Sequence, residues 1–189
     1  MKKTILLFCL LLANLTSAQQ IQSPSEFLGY ELGSQFSRHH QVMAYYQYLA
    51  SVAPNNVVLK TYGYTNERRP LVTAFVSSQE NIQNMEVIRQ AHMEITQGKG
   101  NPDKAIVWLS YNVHGNESVS TEASMQTIYE LLTLKKEYLE NTLVIMDPCI
   151  NPDGRDRYVN WYNQNKNTPY QVDPNSAEHH EGWLSGRAN

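Results

Sequence analysis

Cysteine is scarce, with two residues in a chain of 189. Cys9 lies inside an apolar leader, so after leader removal Cys149 stands alone and no internal disulfide can form. The same count excludes a cysteine-based metal site, and any metal must be held by His, Asp or Glu. Basic excess is lacking too. The net charge is −3 and no run of Lys or Arg interleaves with aromatics, so no nucleic-acid partner is expected. Beyond the leader, no apolar run approaches the roughly 20 residues of a membrane-spanning helix, so no integral membrane segment is expected after leader removal. G-x-S-x-G, G-x-x-x-x-G-K and G-x-G-x-x-G are all absent. Acyl-serine, phosphate-loop and dinucleotide chemistry lose their usual signatures with them.

What is present begins with MKKTILLFCLLLANLTSAQQ. Two lysines, a short apolar run and the small residues Thr16-Ser17-Ala18 have the layout of a secretory signal peptide over residues 1–18. Residues 19–189 are then one secreted or periplasmic domain, long enough to bury a core. Apolar residues Phe36, Val42, Met43, Tyr46 and Leu49 are spaced for a helix over residues 35–52. VVLKTYGYT and LVTAFVSS flank the polar turn NERR and predict a hairpin. Asn81 is expected to cap a second helix through Ile95. AIVWLSYN, nearly all apolar, predicts a strand buried on both faces. A third helix over 118–136 and the strand TLVIMDPCI follow. Strands alternating with helices predict an α/β fold, with a mixed, largely parallel sheet flanked by helices. After Asn151 the text turns polar, rich in Asn and Pro, and predicts a long functional loop.

LSYNVHGNES places His114 and Glu117 three apart at the exit of the third strand. Spacing alone decides nothing: with six His and 13 Glu in 189 residues, chance supplies about 0.4 such pairs. Position carries more weight, because open sheets bind ligands outside the carboxyl ends of their strands. An imidazole nitrogen and a carboxylate oxygen suit zinc at about 2.0–2.2 Å. Gly115 and Asn116 permit a tight loop, and the next strand exit adds Asn151, Asp153, Arg155, Asp156 and Arg157. The alternative is a plain strand-to-helix turn in which Glu117 or Ser118 caps the helix.

NVHGNES, followed by NPDG and preceded by YGYTNERRPL, resembles the zinc metallocarboxypeptidase family, the carboxypeptidase A-like enzymes. The wider text is similar to its secreted bacterial branch. The resemblance implies the phosphorylase/hydrolase-like zinc carboxypeptidase fold, incomplete at the C-terminus, and peptides as substrate. It implies His114 and Glu117 as metal ligands to one zinc ion, and Asn151 and Asp153 in the turn shaping the neighbouring substrate-binding wall. An arginine that steadies the oxyanion is also implied. Arg187 is the candidate, with Arg155 and Arg157 as rivals.

The family's third zinc ligand, its general-base glutamate and its carboxylate-gripping Asn-Arg pair are expected beyond residue 189. His179 and His180 offer a weaker local substitute. The chain is therefore expected to be an N-terminal portion, inactive alone. Two other readings stay open. One keeps fold and zinc but acts as an amidase or deacylase on peptidoglycan or N-acyl amino acids. The other is a non-catalytic secreted binding module using some of its 12 Tyr and three Trp. Cys149 is expected to be small apolar filler.

Overall fold

β-Branched and aromatic residues on either side of a polar turn form the predicted hairpin. Strands β1 (Val57–Tyr64) and β2 (Pro70–Val76) pair antiparallel, with a register shift between Thr61 and Gly63. The computed structural model describes residues 20–166 together with 173, 175, 176 and 180. The leader over residues 1–18, Arg187 and His179 fall outside the described residues. Ahead of the hairpin come a short helix α1 (Pro24–Leu28), closed by a Ser23–Glu26 capping box, and helix α2 (His39–Val52). After it follow α3 (Gln79–Gln83), α4 (Met85–Ile95), β3 (Ala105–Ser110), α5 (Val119–Thr133), a 3-10 turn (Lys136–Glu140), β4 (Thr142–Asp147) and α6 (Pro152–Asn165).

Sheet order is β1-β2-β4-β3. β2 pairs antiparallel with β4, and only β3 with β4 is parallel. The sheet is thus mixed and mostly antiparallel, which corrects the expectation of a largely parallel one. The hairpin accounts for the β1–β2 pair, since a short connection can only return a strand antiparallel. The β2–β4 pair follows from the direction in which β4 docks after a long connection. Because β4 inserts beside β2, β3 lies at the edge of the described sheet and pairs with β4 alone among the described residues. Trp108 is 66% exposed and Val107 41%, so the expectation of a strand buried on both faces fails. An apolar run identifies a strand but cannot report its rank in the sheet.

One face of the sheet holds the core. Val42, Tyr46 and Leu49 of α2 and Met125, Ile128 and Leu132 of α5 pack on Val57, Ala74, Val76, Val144 and Met146. The stripe 42, 46, 49 follows helical periodicity. Two boundaries differ from expectation. Ser78, not Asn81, caps α3, while buried Asn81 donates to the carbonyls of Leu139 (2.9 Å) and Glu140 (3.1 Å). The predicted loop after Asn151 is also helical in its first 14 residues. Arg155, Tyr158, Val159 and Tyr162 form its buried stripe, at i, i+3, i+4 and i+7. That stripe escapes a search for aliphatic periodicity, because its members are mostly Arg and Tyr. Phe36 receives it, with ring centroids 5.6 Å from Tyr158 and 4.9 Å from Tyr162.

Candidate metal centre at the carboxyl edge of the sheet

β3 and β4 run parallel and finish side by side, with Ser110 opposite Asp147. Their exits are zipped beyond the sheet by three backbone bonds. Tyr111 N–H donates to Asp147 O (3.0 Å), Ile150 N–H to Tyr111 O (3.0 Å) and Asn151 N–H to Asn112 O (3.1 Å). The second exit therefore supports the first. Asn112 turns the chain with φ of 54°, a left-handed conformation that asparagine tolerates better than most residues. Glu117 N–H then donates to His114 O at 3.1 Å, closing a turn from which α5 departs.

On that turn the His114 Nδ1 and Glu117 Oε1 atoms lie 3.1 Å apart, with both side chains more than half exposed. The separation is that of an ion pair when the ring is protonated. It also suits two donors reaching about 2.0–2.2 Å to one cation. Among the described residues, no set of three or more His, Cys, Asp or Glu gathers around a common point. The donor chemistry and spacing thus fit two ligands of a zinc site. His180 is exposed.

Glycine at 115 is a packing requirement. A Cβ there would sit 2.2 Å from the carbonyl carbon and oxygen of Gly154, at the start of α6. Asn151 staples the two loops: its Oδ1 accepts the Gly154 N–H (2.9 Å) and its Nδ2 donates to Val113 O (3.1 Å). Capping and stapling are thus the work of one amide. Asp153 faces the other way, toward the hairpin tip. It accepts from Thr65 Oγ1 (2.8 Å), Arg69 Nη1 (2.7 Å) and Glu67 N–H (3.3 Å). Burial pushes its carboxyl up, but the Thr65 and Arg69 bonds outweigh that and hold it below the usual carboxylate range.

Arg155 is fully buried. Its Nε and Nη2 donate to Ser37 O (2.9 and 2.8 Å), Nη2 to Glu122 Oε1 (2.6 Å), and Nη1 to Ser118 O. The guanidinium anchors the first turn of α5, next to Glu117, and has little left to offer a ligand. Arg157 is half-buried. Sequence reasoning missed Glu122 and Asn112 as parts of this scaffold. The local signal for Glu122 was a carboxylate in the first turn of α5, which the sequence alone does not pair with Arg155. Beneath the edge, buried Asp147 accepts the Tyr62 hydroxyl proton at 2.7 Å, and burial pushes its carboxyl up. Cys149 is buried as expected, its thiol pushed up to about 12 by burial.

The zinc carboxypeptidase family model matches residues 42–188, which span the hairpin, the His114–Glu117 turn and α6. The chain belongs to the zinc carboxypeptidase family. No curated protein matches it. Carboxypeptidase A from Helicoverpa armigera is similar in structure, at 24% identity and a TM-score of 0.53, over 82% of this chain and 32% of that one. Thrombin-activatable fibrinolysis inhibitor is similar at 17% identity and a TM-score of 0.50, over 76% of this chain and 31% of that one. At such identities the likeness shows the carboxypeptidase fold. The chain spans about a third of the length of the structures it matches.

Proposed function

We propose that this chain supplies two zinc ligands, His114 and Glu117, to a metallocarboxypeptidase that hydrolyses residues from the C-termini of peptides. The observation that carries the reading is the 3.1 Å convergence of the two side-chain tips at the carboxyl edge of the sheet. Family membership gives that convergence its chemical sense. A zinc ion held there would supply Lewis acidity toward the peptide carbonyl and the attacking water.

The chain's own residues do the holding. The Glu117 N–H bond to His114 O fixes the turn, and the Asn151 staple presses it onto the start of α6. In this reading Asn151 and Asp153 shape the adjacent substrate wall, with their polar groups largely spent on structure. Arg187 is the proposed partner of the oxyanion and half-buried Arg157 its alternate. Arg155 is set aside because its donors are already engaged. In this reading a centre of two ligands, with no third ligand gathered beside them among the described residues, would hold zinc weakly and turn over peptides slowly or not at all. The leader would deliver the protein to the periplasm or the exterior.

Zinc binding by the purified chain, measured by competition with a chromogenic chelator, tests the ligand assignment. His114→Ala and Glu117→Gln should each lose about tenfold or more in affinity. Equal zinc uptake by wild type and His114→Ala would sink the assignment.

A further inference from the structure

Asn112 is 2% exposed, and both its backbone groups and both ends of its side chain are occupied. Its N–H donates to Ser120 Oγ (2.9 Å) and its carbonyl accepts from Asn151 N–H (3.1 Å). Its Nδ2 donates to His114 O at 2.6 Å, and its Oδ1 accepts from the Cys149 thiol at 3.3 Å. A carboxamide has one accepting and one donating end. The thiol donor on one side and the carbonyl acceptor on the other therefore leave one orientation for it. His114 O is the shared point, since it also accepts the Glu117 N–H. The same carbonyl thus joins the amide of Asn112 to the turn that brings both candidate ligands together.

We propose that Asn112, held in place by the Cys149 thiol, is the positioning residue that fixes the His114–Glu117 turn in its ligating shape. The proposal rests on the reading of those two residues as zinc ligands. It assigns Cys149 a role beyond apolar filler: the thiol works through the amide and touches no ligand itself. Groups that orient metal ligands commonly cost about 10–100-fold in metal affinity when removed.

Asn112→Gly tests it cleanly, because glycine accepts the left-handed backbone and deletes only the amide. In the metal-free chain, the Glu117 amide should exchange with solvent about tenfold faster, while sheet amides such as Val144 keep their rates. Zinc affinity should fall about tenfold. Cys149→Ala should fall likewise, and Cys149→Ser, which restores a donor, should recover most of the loss. The double variant should be no weaker than Asn112→Gly alone, because one residue acts through the other. Unchanged Glu117 exchange in Asn112→Gly, or additive losses in the double variant, would overturn the proposal. If instead His114→Ala leaves zinc uptake unchanged, the ligand reading fails, and the metal-free exchange rates still decide whether Asn112 sets the turn.

Discussion

Arg155 brings a full charge into the interior, where an unpaired ion costs several kcal/mol. Glu122 Oε1 meets it at 2.6 Å and also accepts the Ser37 N–H at 2.6 Å, so one carboxylate ties α5, α6 and the segment before α2. Removing the partner leaves the guanidinium buried without a counter-charge. Glu122→Ala should cost about 3–5 kcal/mol, and Glu122→Gln, which keeps an acceptor, about 1–3 kcal/mol. Urea unfolding followed by circular dichroism measures both. A loss below about 1 kcal/mol for Glu122→Ala would mean that the pair adds no more than a surface ion pair does. The sequence shows Arg155 among other polar residues and offers no local reason to bury it. Only the docking of α6 against Phe36 does so.

At the scale of elements, α6 is clamped to the hairpin. Arg69 Nε donates to Asp156 Oδ2 at 2.9 Å, and Asp156 Oδ1 accepts the His39 N–H at the start of α2. The His39 ring is buried in this clamp with Nε2 3.2 Å from Pro70 O, while its Nδ1 has no partner. Burial holds its pKa below the usual imidazole value. The unfolded ring takes a proton near pH 6.5, and the folded ring only at lower pH. Between those values the unfolded chain binds more protons at this ring, so the ring's contribution to stability is constant well above about pH 6.5 and declines as the pH falls below it. Asp153, held low, loses its contribution only at more acid pH. Unfolding midpoints at pH 7.5 and 5.5 should differ in wild type, and His39→Gln should narrow the gap. An equal gap in the variant would clear His39 of the effect. The hairpin itself was legible, since NERR between β-branched runs is a turn by composition. Its clamp to α6 was not, because Arg69 and Asp156 are 87 residues apart.

For the molecule as a whole, β3 matters most. Among the described residues it pairs only with β4, and its six residues contain no charge and no proline. Natural edge strands usually carry such devices against unwanted pairing. On the face away from the core, Trp108 lies in register with Ile145, Phe75 and Val58, an apolar row crossing all four strands. The purified chain should therefore self-associate in a concentration-dependent way through this edge. Trp108→Lys, at a position already two-thirds exposed, should shift the population toward monomer without lowering the unfolding midpoint. Light scattering coupled to gel filtration reads the outcome. Identical size distributions for wild type and variant would place the contact elsewhere.

The sequence by itself determined what depends on neighbours along the chain. Turn composition marks the hairpin, helical spacing marks α2 and α5, and one short segment puts His114 and Glu117 on a single turn where a strand becomes a helix. Each follows from steric and burial preferences acting over a few residues. Tertiary structure decided what depends on distant partners: that β4 slips between β2 and β3, that Arg155 goes inside to meet Glu122, and that Cys149 orients Asn112 beneath the His114 turn. Hydrophobic pattern states that a segment must be covered, whereas strand order and polar pairing are settled only when separate segments compete for the same neighbours.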